Sequence, residues 1–177
     1  MSDDLGKVIF QSELGDIEFT LHPEWDTPAC DRFIELVNAG FYNGAPWFRV
    51  VPNFVIQCGI SSIYRLQRTW CDSTFQDSPV VMGNRQWSVA YGKTNEPNSR
   101  NTHVFINLKD NYFLDSHGFS AFAEITNGFD VINAIVAKAG DEISGDQERM
   151  NVEGTDHLKE EEPWCDALVW IERAYLQ

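Results

Sequence analysis

Covalent catalysis needs a nucleophile, a base beside it and a group that orients the base. Nothing in this 177-residue sequence groups the three. His22, His103, His117 and His157 stand in unrelated surroundings, and no G-x-S-x-G elbow occurs. Cys30, Cys58, Cys71 and Cys165 contain no C-x-x-C pair, so with the scattered histidines they offer no metal-ligand spacing, and no metal is expected. What stands out is one cation in an apolar, aromatic run: Arg49, between Trp47-Phe48 and Val50-Val51, with Phe54 and Gln57 following. On a strand, alternation puts Arg49 and the residues two away from it on one face. The pattern leaves two readings open, a guanidinium held among aromatics in a site, or a solvent-facing arginine whose stem lies over the strand.

The elements that must hold Arg49 are mostly strands. Residues 47–57 carry the strongest β signal, broken at Pro52-Asn53, so two short strands with a bend are expected there. Lys7 to His22 reads as a hairpin around Gly15-Asp16. Further strands are expected at Trp87–Tyr91, His103–Leu108, Phe119–Ile125 and Leu168–Ile171, with a polar Gly/Asn/Pro/Ser loop over 92–101. A helix begins at Thr27-Pro28, with Thr27 as the expected N-cap, and stops at Asn38-Ala39-Gly40. A second helix, Phe129–Ala139, ends at Gly140. Residues 60–86 read as mixed and polar, without a clear period. About eight short strands and two helices, with no repeat and no βαβ alternation, point to a mainly β fold in which a barrel protects the strand edges.

Length and composition narrow the function classes. The chain is 43% hydrophobic and 13% aromatic, too apolar for a disordered acidic chain, and long enough to bury roughly two-thirds of its unfolded surface as one domain, 1–177. Its 27 acids against 13 Lys and Arg leave a net charge of −14, which disfavours nucleic acid and anionic membrane as partners. No apolar stretch approaches the ~20 residues of a membrane span. The acidic opening Met1-Ser2-Asp3-Asp4 is unlike a secretion leader, so a cytoplasmic location with four reduced thiols is expected. Residues 141–163 carry nine acids against Arg149 and Lys159, a local net of −7, and read as a solvated acidic loop without the oxygen spacing of a calcium loop.

The segment Phe48-Arg49-Val50-Val51-Pro52-Asn53-Phe54-Val55-Ile56-Gln57-Cys58-Gly59 resembles the signature of the cyclophilins, the cyclosporin-binding class of peptidyl-prolyl cis-trans isomerases. The likeness runs on through Phe41-Tyr42-Asn43-Gly44, His103-Val104-Phe105-Ile106-Asn107, Phe113-Leu114-Asp115, Phe122-Ala123-Glu124 and Gly128-Phe129-Asp130-Val131. It implies a closed eight-stranded antiparallel β-barrel capped by two α-helices. It also implies cofactor-free rotation about X-Pro bonds, without a covalent intermediate, in proline-containing peptides or client proteins. By the same resemblance Arg49, Phe54, Gln57, Phe105 and Leu114 are the catalytic set, with Arg49 donating toward the prolyl nitrogen and the apolar residues gripping the proline ring. Val55, Ala90, Tyr91, His103, Phe113 and Phe119 are the expected substrate contacts of a monomer.

Several positions depart from the family pattern. His103 stands where glutamine is usual, Val104 where phenylalanine is, and Phe119 where a histidine is expected. Phe113 occupies the place of a tryptophan whose indole N–H binds cyclosporin, so weakened drug binding is expected. Two alternatives remain at this point: a proline-binding module that keeps the barrel but has weak or no isomerase activity, and an acidic interaction protein that works through 141–163.

Overall fold

The computed structural model describes residues 6–177; the acidic opening at 1–4 lies outside them. Strands β1 (Lys7–Ser12) and β2 (Gly15–Leu21) form the expected hairpin, with Val8 opposite Phe19 and Phe10 opposite Ile17. Their alternation sends Val8, Phe10, Ile17 and Phe19 into the core. Helix α1 (Thr27–Asn38) lays Ala29, Phe33, Leu36 and Val37 on that face. Its N-cap is Asp26 rather than Thr27: the Asp26 carboxylate accepts from Ala29 N at 3.1 Å and pairs with buried Arg100 at 2.7 Å. A carboxylate one residue earlier can satisfy the orphan amide and neutralise the arginine at once, which the Thr27 hydroxyl cannot.

Strands β3 (Arg49–Val51) and β4 (Val55–Cys58) flank the expected bend. Pro52 supplies the fixed φ, Asn53 takes φ 60°, and Phe54 N donates to Val51 O at 3.0 Å, a type II turn. Then follow α2 (Tyr64–Trp70), β5 (Ser88–Tyr91), β6 (Val104–Asn107), a 3₁₀ turn (Tyr112–His117), β7 (Ala121–Asn127) and α3 (Phe129–Ala139). The chain ends with β8 (Ile143–Ser144), α4 (Gln147–Glu153), a second 3₁₀ turn (Asp156–Lys159), α5 (Trp164–Ala167) and β9 (Ile171–Leu176).

The strands form one curled antiparallel sheet in the order β8-β3-β4-β6-β5-β7-β2-β1-β9. Nine strands thus replace the expected eight, the extra one being two-residue β8. The two ends of the sheet meet through irregular backbone bonds: Trp47 N donates to Val169 O at 3.0 Å and Ile171 N to Ala45 O at 2.7 Å. Inside lies an aromatic core in which Phe10, Phe19, Phe33 and Tyr42 meet at centroid distances of 4.7 to 5.8 Å. Truncating such a ring to alanine costs about 3–5 kcal/mol.

Three expectations need correction. Residues 60–86 contain α2, a seven-residue helix whose one fully buried side chain is polar Gln67, so no apolar period marked it. The final strand begins at Ile171, because Leu168 and Val169 pack as a buried approach to it. The segment 141–163 is not a bare loop: Asp146 caps α4 by accepting from Arg149 N at 3.2 Å, and Met150 and Leu158 are buried with Phe48, Ile60 and Leu168. Its acids sit on the outer face of a packed element.

Candidate active site

Strand pairing sets the side chains of the site in a row. Arg49 on β3 is opposite Gln57 on β4, Gln57 is opposite Phe105 on β6, and Phe105 is opposite Ala90 on β5. With period-two alternation, one face of these strands carries Arg49, Val55, Gln57, Phe105 and Ala90, and the other sends Val50, Ile56, Cys58, Val104 and Tyr91 into the barrel. The outward row floors an open groove of about 600 Å³.

At one end Arg49 is half-buried. Its Nη1 donates to Gln57 Oε1 at 3.3 Å, and its guanidinium carbon lies 5.9 Å from the centre of the Phe54 ring. At the other end Val55, Ala90, Phe105 and Leu114 form a small apolar cluster, edged by Phe54 and Phe119. Phe119 meets Phe105 edge-on at 5.8 Å, and Lys93 Nζ sits 5.3 Å over its ring. A charged donor therefore stands at one end of the groove and an apolar cluster at the other.

The polar edge continues beyond Gln57. Its Nε2 lies 3.2 Å from His103 Nδ1, and His103 Nε2 lies 3.4 Å from Asn151 Oδ1 on α4. Burial pushes the His103 pKa down to about 4, with the Asn151 contact opposing it, so the ring is neutral at physiological pH. Glycine permits the close approach of strands here: Gly59, at φ +119°, abuts the Thr102 carbonyl and the His103 backbone, where a Cβ would collide.

Beneath the apolar pocket runs a buried polar net. Asp115 Oδ1 accepts from Asn84 N at 2.9 Å and Asn84 Nδ2 at 2.7 Å, and Asn84 Nδ2 also donates to Phe119 O at 2.9 Å. Asn107 donates to Asn84 Oδ1 at 3.1 Å, and Asn111 donates to Asn107 Oδ1 at 2.9 Å and to Phe54 O at 3.1 Å. These bonds tie the 3₁₀ turn carrying Leu114 to the segments carrying Phe54 and Phe119.

A family model described as cyclophilin type peptidyl-prolyl cis-trans isomerase/CLD matches residues 7–156, which include every residue of this groove. The chain belongs to this family. Among curated relatives, peptidyl-prolyl cis-trans isomerase A of Dickeya dadantii is 29% identical over 132 residues, 72% of this chain and 70% of that protein. The isomerase cyp18 of Streptomyces antibioticus is 28% identical over 138 residues, 74% of this chain and 83% of that protein. In fold, a Cryptosporidium parvum cyclophilin crystallised in the presence of the dipeptide Ala-Pro matches with a TM-score of 0.70 at 17% identity, covering 97% of this chain and 98% of that one.

Within this cyclophilin, the groove brings together Arg49, Phe54, Val55, Gln57, His103 and Phe105, and Leu114 and Phe119 with them. Ala90 lies under the floor, fully buried against Phe105. Tyr91 does not belong with it: adjacent strand residues face opposite ways, and Tyr91 packs against Phe75 and Phe122 in the core. Phe113 is 57% exposed and stacks on the outer side of Phe54 at 6.0 Å, flanking the groove rather than lining it. The sequence reading missed the α4 wall, Gln147, Asn151 and Val152, because no local pattern brings that segment to β6. It also missed the asparagine net, for which an asparagine inside the apolar run Val104–Asn107 was the available signal.

Proposed function

We propose that this chain accelerates cis–trans rotation of X-Pro bonds in peptides and folding proteins by desolvated electrostatics from Arg49, without a cofactor. The observation that carries the reading is the Arg49 guanidinium, fixed by Gln57 and Phe54 at the rim of an apolar pocket of Val55, Phe105 and Leu114. Rotation about an X-Pro bond breaks no covalent bond; its barrier of ~18–20 kcal/mol comes from amide resonance. As the bond twists, the nitrogen pyramidalises and its lone pair localises. A donor aimed at that nitrogen binds the twisted state more tightly than either planar one, which is the condition for lowering the barrier. Guanidinium suits the role because it stays charged and presents its donors in a rigid fork.

In this reading the proline ring enters the pocket of Phe54, Phe105 and Leu114, with Phe119 as its outer wall, and Gln57 and His103 offer hydrogen bonds to the substrate backbone. Val55 shapes the floor, with Ala90 beneath it. In this reading the enzyme works as a monomer and as one domain, in a reducing cytoplasmic compartment; the joining of strands from both ends of the chain, β1, β8 and β9, in one sheet supports the single domain. Among the described residues no helix is long and apolar enough to cross a membrane. That the Cryptosporidium protein was crystallised in the presence of Ala-Pro accords with a proline-containing ligand here. The decisive test is cis-to-trans relaxation of a proline tetrapeptide. Wild type should accelerate it, and Arg49→Ala should lower kcat/KM by about 10²–10³-fold, the effect of removing one preorganised donor. Equal rates for the two proteins would overturn the role of Arg49.

A further inference from the structure

We propose that His103 and Asn151 are positioning residues: a hydrogen-bond relay from α4 through the His103 ring fixes the Gln57 amide, and through it the Arg49 guanidinium. The proposal rests on the reading of Arg49 as the catalytic cation. It gives the acidic 141–163 segment a part in the reaction rather than only in partner choice.

Each link constrains the next. Arg49 Nη1 can only donate, so the Gln57 atom 3.3 Å from it must be the carbonyl oxygen. That orientation turns the Gln57 NH₂ toward His103 Nδ1, 3.2 Å away, which must then accept. The ring proton is left on Nε2, where it meets Asn151 Oδ1 at 3.4 Å, an acceptor. Four side chains, from β3, β4, the residue just before β6, and α4, thus share one direction of donation, and it exists only while His103 is neutral. A proton on Nδ1 would face the Gln57 NH₂ donor to donor. If the amide then rotated, its NH₂ would face the arginine instead. In the first case the Gln57 amide loses the bond that fixes it, and in the second Arg49 loses its acceptor.

The ring is held on several sides. Phe48 meets it edge-on at 5.5 Å, and Gly92 passes so near that a Cβ there would lie 3.4 Å from both Gln57 Nε2 and His103 Cβ. Asn151 is anchored in turn, its carbonyl accepting from buried Gln67 of α2 at 3.2 Å. The ionisable groups sharing the groove are Arg49, Arg68, Cys71, Asp72 and Lys93. On α4 they are Glu148, Arg149 and Glu153, of which Arg149 and Glu153 pair with each other at 2.9 Å. None of these forms a hydrogen bond or ion pair with the His103 ring, whose polar partners among the described residues are Gln57 and Asn151. Burial accordingly keeps the ring neutral down to about pH 4.

The relay is tested by following ¹⁵N signals of His103 and the Gln57 amide against pH on the full chain, beside pH profiles of kcat/KM. Wild type should show an Nε2–H tautomer that stays neutral down to pH 5, with kcat/KM free of an acid limb over the same range. Asn151→Asp places a carboxylate at Nε2 and should raise the His103 midpoint by about one to three pH units. The Gln57 signal and a new acid limb in kcat/KM should move with it. His103→Gln, which can accept from Gln57 and donate to Asn151 but does not titrate, should lack that limb at every pH. An Nδ1–H tautomer in wild type overturns the relay, as does an Asn151→Asp protein in which His103 titrates higher while the Gln57 signal and the limb stay put. Should wild type accelerate no peptide at any pH, the isomerase reading fails. The Gln57 signal then decides the relay alone: a shift at the His103 midpoint upholds it and a flat response overturns it.

Discussion

Arg49 has charge, geometry and a fixed bearing, and these can be separated. Lysine at this position would keep the charge but lose the fork that reaches Gln57 Oε1 while lying beside Phe54. Arg49→Lys should therefore fall between wild type and Arg49→Ala in kcat/KM on a proline tetrapeptide; full activity would show that charge alone suffices. Phe113 poses a different question, because it touches the back of Phe54 and stands 57% exposed at the lip. Its ring has no N–H to offer a ligand above the groove. Phe113→Trp should tighten cyclosporin binding by about tenfold, the worth of one added hydrogen bond. Titration calorimetry with both proteins checks this, and nanomolar binding by wild type would sink the premise. The sequence marks Arg49 as the cation in an aromatic run, and Phe113 only through the resemblance at Phe113-Leu114-Asp115. That Arg49 turns toward Gln57 instead of solvent is a matter of strand register, which one sequence leaves open.

At the scale of elements, the pocket depends on bonds made out of sight of the substrate. The 3₁₀ turn that presents Leu114 is anchored by Asp115, whose Oδ1 takes two donors from fully buried Asn84. Asp115→Ala leaves both N–H groups without that acceptor, at about 1–3 kcal/mol each, so urea unfolding should show a loss of about 2–6 kcal/mol. Because Asn84 also holds Phe119 O, the surviving native protein should bind peptide more weakly, seen as a raised KM. An unchanged midpoint and KM would mean that water replaces the carboxylate. Legibility differs by element for physical reasons. The hairpin, α1 and α3 bury apolar side chains with a regular period, and β4 to β7 are short, mostly apolar runs buried on both faces; both signals are written in the sequence. Helices α2 and α4 each bury one side chain fully, Gln67 and Met150, so their periods are invisible. Partner segments hold them in place, as where Gly154, at the end of α4, passes the Ser61 carbonyl so closely that a Cβ would lie 2.9 Å from it. The α4 wall of the groove was out of reach for the same reason.

Over the whole molecule, the net charge of −14 is unevenly placed, with −7 carried by residues 141–163. Those acids are no detached tail. Helix α4 is pinned at its N-terminus by Asp146 and in the interior by Met150, and its Gln147, Asn151 and Val152 form a wall of the groove. On the same helix Glu148 is exposed one turn before Asn151 and Val152, and Asp141 and Glu142 are exposed in the segment that leads into it. Arg149 offsets little of this, since Glu153 and Glu161 both already hold it. Surface charges act over a Debye length of about 8–10 Å and chiefly on encounter rates, so the field should select among substrates without touching the chemical step. Changing Asp141, Glu142 and Glu148 together to Asn and Gln should raise KM for a proline peptide flanked by lysines at low salt and leave a neutral tetrapeptide alone. At high salt the two proteins should converge on both peptides. A loss that persists at high salt, or falls equally on the neutral peptide, would place these residues in the fold of the wall instead of in its field.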